Sequence, residues 1–305
     1  SIHIMHIIVV ISRGLKHRFA NISGTMDFER RSTKKFSLIS PNLDELRELI
    51  PAVTDPLSFT DRYGTLLSLL SVQMKEGLLQ TLIQFYDPVY HCFTFPDYQL
   101  MPTLEEYSQL LRIPIADTVP FSGSEKVPEP DVLAKILHLT ESDIEKSFIT
   151  RGGVRGFKSK FLIEKASYFA KAGCGVIFEY YFALLIYGLL LFPNMEGFVD
   201  SSALCIFLSG NPVPTLLGDA YHSVHYRTLK KGGTIVCCIP LLYKWFISHL
   251  PQSVLFWDHK VKLRWSQKIM SLTHSDILWY NRSLDVDQII DSCGEFPNVP
   301  LIGTK

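Results

Sequence analysis

Apolar residues along this chain recur mainly at three- and four-residue spacing, the signature of helices with one buried face. The pattern predicts helices over 43–50, 61–72, 77–85, 104–112, 131–139, 141–148, 161–172, 177–192, 200–208, 216–228, 235–249 and 263–270. Asn42 with Glu45, Thr103 with Glu106, and Thr140 supply start signals, because a short polar side chain satisfies the first free backbone N–H groups. Pro51 and Pro56 are read as breaks. Only one stretch alternates at strand period: His91-Cys92-Phe93-Thr94-Phe95, bounded by Pro88 and Pro96, with residues 98–101 as its partner. The expected fold is therefore mainly α, a multi-helix globular domain with a small β-hairpin near residues 91–101. The helix over 177–192 is apolar nearly all round and should lie at the centre.

Residues 1–25 read as a non-native leader or a disordered start. Met26 opens an ordinary exposed beginning, MDFERRSTKK, and the first residue, Ser1, is not Met. Both ends are expected to belong to a longer chain. Residues 26–116 form an N-terminal helical part with the hairpin. Residues 117–130, rich in Pro, Ser and Gly, read as a linker-like loop, and 131–305 as a C-terminal helical part, the whole forming one continuous unit. No repeat is present at periods of 20–50 residues.

Composition narrows the class. The 305 residues are 47% hydrophobic and 20% charged, enough for a large core and too apolar for disorder. Thirty basic residues balance thirty acidic ones, which excludes a strongly basic nucleic-acid wrapper but not a local basic patch. The six cysteines lack framework spacing, so buried reduced thiols and a nuclear or cytoplasmic compartment are expected. The run FALLIYGLLLF at 182–192 is too short for a bilayer span, which needs about 20 residues, so no membrane contact is expected.

The chemistry-bearing residues form no catalytic pattern. The stretch from Arg151 to Lys160, RGGVRGFKSK, has glycines, Lys158 and Ser159, but its spacing is not that of a phosphate-binding loop. It reads as a mobile basic loop between helices. Its basic residues Arg151, Arg155, Lys158 and Lys160, with Lys230 and Lys231 further on, are the candidate nucleic-acid contacts, since phosphate binding needs only cations on one face. His222 and His225 share a helical face near Cys237 and Cys238, but adjacent cysteines make poor ligands for one zinc ion, and no metal site is assigned. Asp219 and His222 could pair as acid and imidazole, yet no nucleophile accompanies them. No catalytic residue and no cofactor is assigned. The aromatic residues Tyr243, Trp245, Phe246, Trp257, Trp265, Trp279 and Tyr280 are expected in the core.

Several ordered motifs point further. The run from Phe93 to Pro114, FTFPDYQLMPTLEEYSQLLRIP, resembles the plant mobile domain pattern of a short strand pair leading into a T-L-E-D-type helix. Arg112 stands where that pattern often has Gly. The turn Leu191-Phe192-Pro193, the segment from Gly232-Gly233 through Trp245 to Leu250-Pro251, and the stretch from Asp276 to Tyr280 are similar to further motifs of the family, although Asn281 departs from its proline context. Phe85-Tyr86-Asp87-Pro88, NPVPTLL at 211–217 and IDSCGEF at 290–296 resemble a plant-specific relative abundant in legumes. The resemblance covers about Phe36 to Gly303. It implies a helical domain carried by transposable elements and by host genes derived from them, an older aminotransferase-like label, roles in silencing, and no established catalytic residue. The expected function is a non-enzymatic interaction module with protein partners and, second, nucleic acid. The alternative is a vestigial enzyme or a transposition accessory protein.

Overall fold

The computed structural model describes residues 35–279 apart from 76, 117–119, 124 and 259–262, together with the strand pair Ser292–Cys293 and Phe296–Pro297. Helices dominate, and one cluster of buried side chains runs from Leu43 to Ile277. The leader at 1–25, Met26, Tyr280 and part of the 117–130 segment lie outside the described residues.

The chain opens on β1 (Lys35–Leu38) and the short α1 (Asp44–Arg47). Helix α1 is shorter than the 43–50 expected, and Asn42 and Glu45 form no capping box. Instead Asn42 Oδ1 accepts the Asp44 N–H at 3.0 Å, and Pro51 diverts the chain into a 3-10 turn. Pro56 also departs from its expected role: it begins α2 (Pro56–Tyr63), with Asp55 Oδ1 accepting the N–H groups of Leu57 and Ser58. At a first helical position the missing N–H costs nothing. Next come α3 (Leu66–Leu70) and α4 (Leu78–Gln84).

Strands β2 (Tyr86–Asp87), β3 (Cys92–Thr94) and β4 (Gln99–Leu100) form an antiparallel meander, with Phe93 paired to both Tyr86 and Leu100. Helix α5 (Leu104–Leu111) carries a full capping box: Thr103 Oγ1 accepts the Glu106 N–H at 3.2 Å, and Glu106 Oε2 accepts the Thr103 N–H at 2.9 Å. Arg112, the residue after it, is left-handed at φ 53°.

Helices α6 (Pro130–Ile136) and α7 (Glu141–Ser147) lead into a sheet that periodicity did not predict. Strand β5 (Phe148–Arg151) turns at Gly152-Gly153 into β6 (Val154–Lys158), and β7 (Phe198–Asp200) joins on β6's other side. Both turn glycines have positive φ, as a two-residue hairpin turn demands. The expected mobile loop is thus a β-hairpin. Its strands leave little alternation to read, because of their large side chains only Phe148 and Phe157 are buried, and they face each other across the hairpin.

Helices α8 (Ser159–Lys171) and α9 (Gly175–Ile186) pack side by side. Helix α9 is buried from Phe178 to Ile186 apart from the half-buried Tyr180, and continues as a π-helical turn, Tyr187–Leu191, closed by the Phe192 N–H on the Tyr187 carbonyl at 2.9 Å. Gly188 lets β7 approach this turn: a Cβ there would meet Val199 Cγ1 and Cγ2 at 2.6 Å. Helices α10 (Ser201–Ser209) and α11 (Val213–Leu229) follow. Then β8 (Gly232–Ile235) pairs in parallel with β1, and α12 (Ile239–His249), α13 (Val254–Trp257) and α14 (Trp265–Met270) complete the set. The helix expected from 235 therefore starts four residues later, because 232–235 is committed to the sheet. Among the described residues, no helix is long and apolar enough to cross a membrane.

Candidate nucleic-acid interface

The six basic candidates fall on two surfaces. Arg151, Arg155, Lys158 and Lys160 sit on the β5–β6 hairpin and the first turn of α8, all exposed. Arg151 Nη1 donates to the Glu196 carbonyl at 2.8 Å, which ties the hairpin to the loop before β7. The Arg155 guanidinium lies 4.7 Å from the Phe148 ring centroid. Lys158 is the last residue of β6 and the cap position of α8. A strand does precede these glycines, contrary to expectation. However, Gly152-Gly153 is a tight hairpin turn and Gly156 is paired within the sheet, so the backbone forms no phosphate cradle. A cleft of about 340 Å³ lies against the hairpin's base. Ser40, Glu45, Ser159 and Glu196 supply part of its polar lining and no cation lines it, so it does not suit phosphate.

The second surface is the end of α11 and the turn into β8. Lys230 follows the helix and Lys231 is left-handed at φ 59°. Tyr226, 43% exposed, is the centre of this surface. The His222 ring is near-parallel to it at 5.9 Å, the Arg227 guanidinium lies 5.4 Å from its centroid and the Lys230 ammonium 5.7 Å. Arg227 also lies close against Gly233, whose added Cβ would be 2.9 Å from Nη1. Lys35 of β1 pairs with Gly232, bringing one more exposed cation to this end. Arg227 belongs with Lys230 and Lys231 in the basic cluster that the sequence offers, whereas Tyr226 was not among the candidates; its signal was the Tyr-Arg-x-x-Lys-Lys run at a helix end. Among the described residues, none of these cations forms an ion pair, and no hydrogen bond or ring contact joins the two surfaces.

A protein family described as Domain of unknown function (DUF7745) matches residues 43–305. The chain belongs to this family. No curated protein and no solved structure matches it. The DUF7745 domain thus spans the meander, the hairpin and both basic surfaces.

Residues that chemistry would require are scattered in the DUF7745 domain. Glu179, buried in α9, is engaged by Arg62. Asp219 lies in α11 two turns before Tyr226; burial, with the Asp200 carboxylate adding to it, pushes its pKa up to about 7. His222 stacks on Tyr226 and is not bonded to Asp219. His225 lies face to face with His91 at 4.5 Å, and its Nδ1 is 3.4 Å from the Tyr86 hydroxyl. Burial lowers the pKa of His91 against the pull of Asp87. It lowers that of His225 as well, with His91 and His222 adding to the effect. No group of three or more His, Cys, Asp or Glu among the described residues is placed to hold a metal ion. Cys92, Cys237 and Cys238 are buried, but Cys174 is exposed at the turn before α9, because Gly173 and Gly175 hold that turn outside the core. Of the aromatic residues expected in the core, Tyr243, Trp245 and Phe246 are buried, while Trp257, Trp265 and Trp279 are half-buried.

Proposed function

We propose that this DUF7745 domain is a non-enzymatic interaction module, related to the plant mobile domain and carried by or derived from a transposable element. It acts in the nucleus or cytoplasm, in a silencing or transposition-associated setting, with protein partners and with nucleic acid as an anionic ligand. The observation that carries this reading is the set of exposed cations, without ion pairs among the described residues, at Arg151, Arg155, Lys158 and Lys160 and at Lys230 and Lys231. Unpaired surface cations cost little alone and gain from releasing counterions when they meet phosphates.

The test is fluorescence anisotropy of labelled DNA and RNA across a salt series. The logarithm of the affinity should fall linearly with log salt, with a slope of about 0.7–0.9 per phosphate contact. Reversing Arg151, Arg155, Lys158 and Lys160 to Glu should flatten that slope by roughly 2–4. Failure to bind either nucleic acid at low salt removes the nucleic-acid half of the reading.

A further inference from the structure

The two basic surfaces differ in kind. The hairpin offers cations on a sheet, whereas the end of α11 offers cations around an exposed ring. Resting on the reading above, we infer that the His222–Tyr226–Arg227–Lys230–Lys231 surface binds single-stranded nucleic acid, with an unpaired base stacked on Tyr226 and the adjoining phosphates on Arg227, Lys230 and Lys231.

Four observations carry this. Tyr226 is 43% exposed although most of α11 is buried, so part of its ring is open to solvent. The ring is held in place by His222 at 5.9 Å and by the two cations. Arg227 is itself set against Gly233, and a side chain at that glycine would displace it. No Asp or Glu occurs in the sequence between Asp219 and Asp258, so the segment that carries Tyr226, Arg227, Lys230 and Lys231 has no acid of its own. An exposed aromatic ring beside cations that track a backbone is how sequence-tolerant single-strand binding works, because every base has a π-face and can take the place of a flexible cationic side chain over the ring.

A duplex offers Tyr226 no base to stack on. Its base faces are stacked inside, and a helix that reads its bases directly does so mainly by entering the major groove. Helix α11 cannot do so: Leu216, Leu217, Ala220, Tyr221, Val224 and Thr228 fix it in the core. Only the last two turns expose a stripe, His222, Tyr226 and Leu229, the last of these 58% exposed.

The experiment measures binding of the whole chain to oligothymidylate and oligouridylate of about 20 nucleotides, longer than the sites such surfaces cover. It compares them with a duplex and with an abasic strand of equal length. The unpaired strands should bind about tenfold or more tightly than the abasic strand. Tyr226→Ala should abolish that advantage and Tyr226→Phe should keep it, while K230E/K231E should weaken all strands. The DNA and RNA arms show which strand is preferred. Equal binding of abasic and intact strands, or an unchanged advantage in Tyr226→Ala, overturns base stacking and leaves the phosphate-binding reading standing. No binding to any strand overturns both. Should Tyr226→Ala fail to fold, the abasic comparison and Tyr226→Phe still decide.

Discussion

His249 Nε2 lies 2.9 Å from Glu106 Oε1, and both side chains are almost out of solvent. The same carboxylate accepts the Trp245 indole N–H at 2.9 Å through Oε2 and closes the capping box of α5. On the far side His249 Nδ1 is 2.9 Å from the Leu278 carbonyl, while the Leu278 N–H donates to the His249 carbonyl. One ion pair thus joins α5, α12 and the segment after α14. Glu106→Ala strands a buried imidazolium and an indole N–H, so it should cost about 3–5 kcal/mol in urea unfolding. Burial alone lowers the pKa of His249, but the Glu106 carboxylate and the Leu278 carbonyl outweigh it and hold it above its ordinary 6.5. A group raised on folding contributes fully below its unfolded value and loses its contribution as pH rises through the folded value. Stability should therefore decline as pH rises above about 6.5, and His249→Gln should remove that slope.

Asp219 behaves in the opposite sense. Its pKa of about 7 means that the folded protein carries a desolvated charge at neutral pH that the unfolded chain does not feel. That cost is absent below the ordinary carboxylate value, grows as pH rises, and is complete above about 7. Asp219→Asn should stabilise the domain by roughly 2 kcal/mol at pH 8. The gain should disappear near pH 4, and equal melting temperatures at both pH values would refute this.

Two glycines of the hairpin should respond differently to alanine. At Gly156 a Cβ would meet the Val199 carbonyl at 2.3 Å and Phe198 Cε1 at 2.7 Å, so Gly156→Ala must push β6 from β7. The expected cost is about 1–3 kcal/mol or more. Gly153 has nothing within 4 Å, but its φ is +82°. Gly153→Ala should cost only about 1 kcal/mol, from backbone strain. Denaturant midpoints of the two variants give the order.

Arg112 ends α5 at φ 53°, a conformation that favours glycine, and its charge also depresses the pKa of Lys244, behind the larger effect of burial. Arg112→Gly should relieve both effects and raise stability by about 1 kcal/mol. A lower melting temperature would show that the arginine makes a compensating contact.

Much of the helical framework was legible because its signals are local. The capping boxes at Thr103 and Thr140 and the all-round apolarity of α9 act within a turn or two of chain, and each appears where the pattern placed it. The β5–β6 hairpin escaped because strands of four and five residues with charged outer positions have too few alternations to read. Its third strand, β7, comes from beyond α8 and α9. The β1–β8 pair is wholly non-local: Lys35 meets Gly232 across the entire fold.

The basic candidates divide on the same line. Composition and spacing selected Arg151, Arg155, Lys158, Lys160, Lys230 and Lys231, since charge is a property of single residues. Which of them share a surface, that Tyr226 is partly exposed beside two cations, and that Glu179 is taken by Arg62 were decided by tertiary structure. The sequence by itself determined a mainly helical chain with local basic clusters, because helix periodicity, caps and charge are short-range. Tertiary structure alone decided the sheets, the buried ion pairs and the make-up of each surface, because long-range pairing and burial depend on residues far apart in the chain.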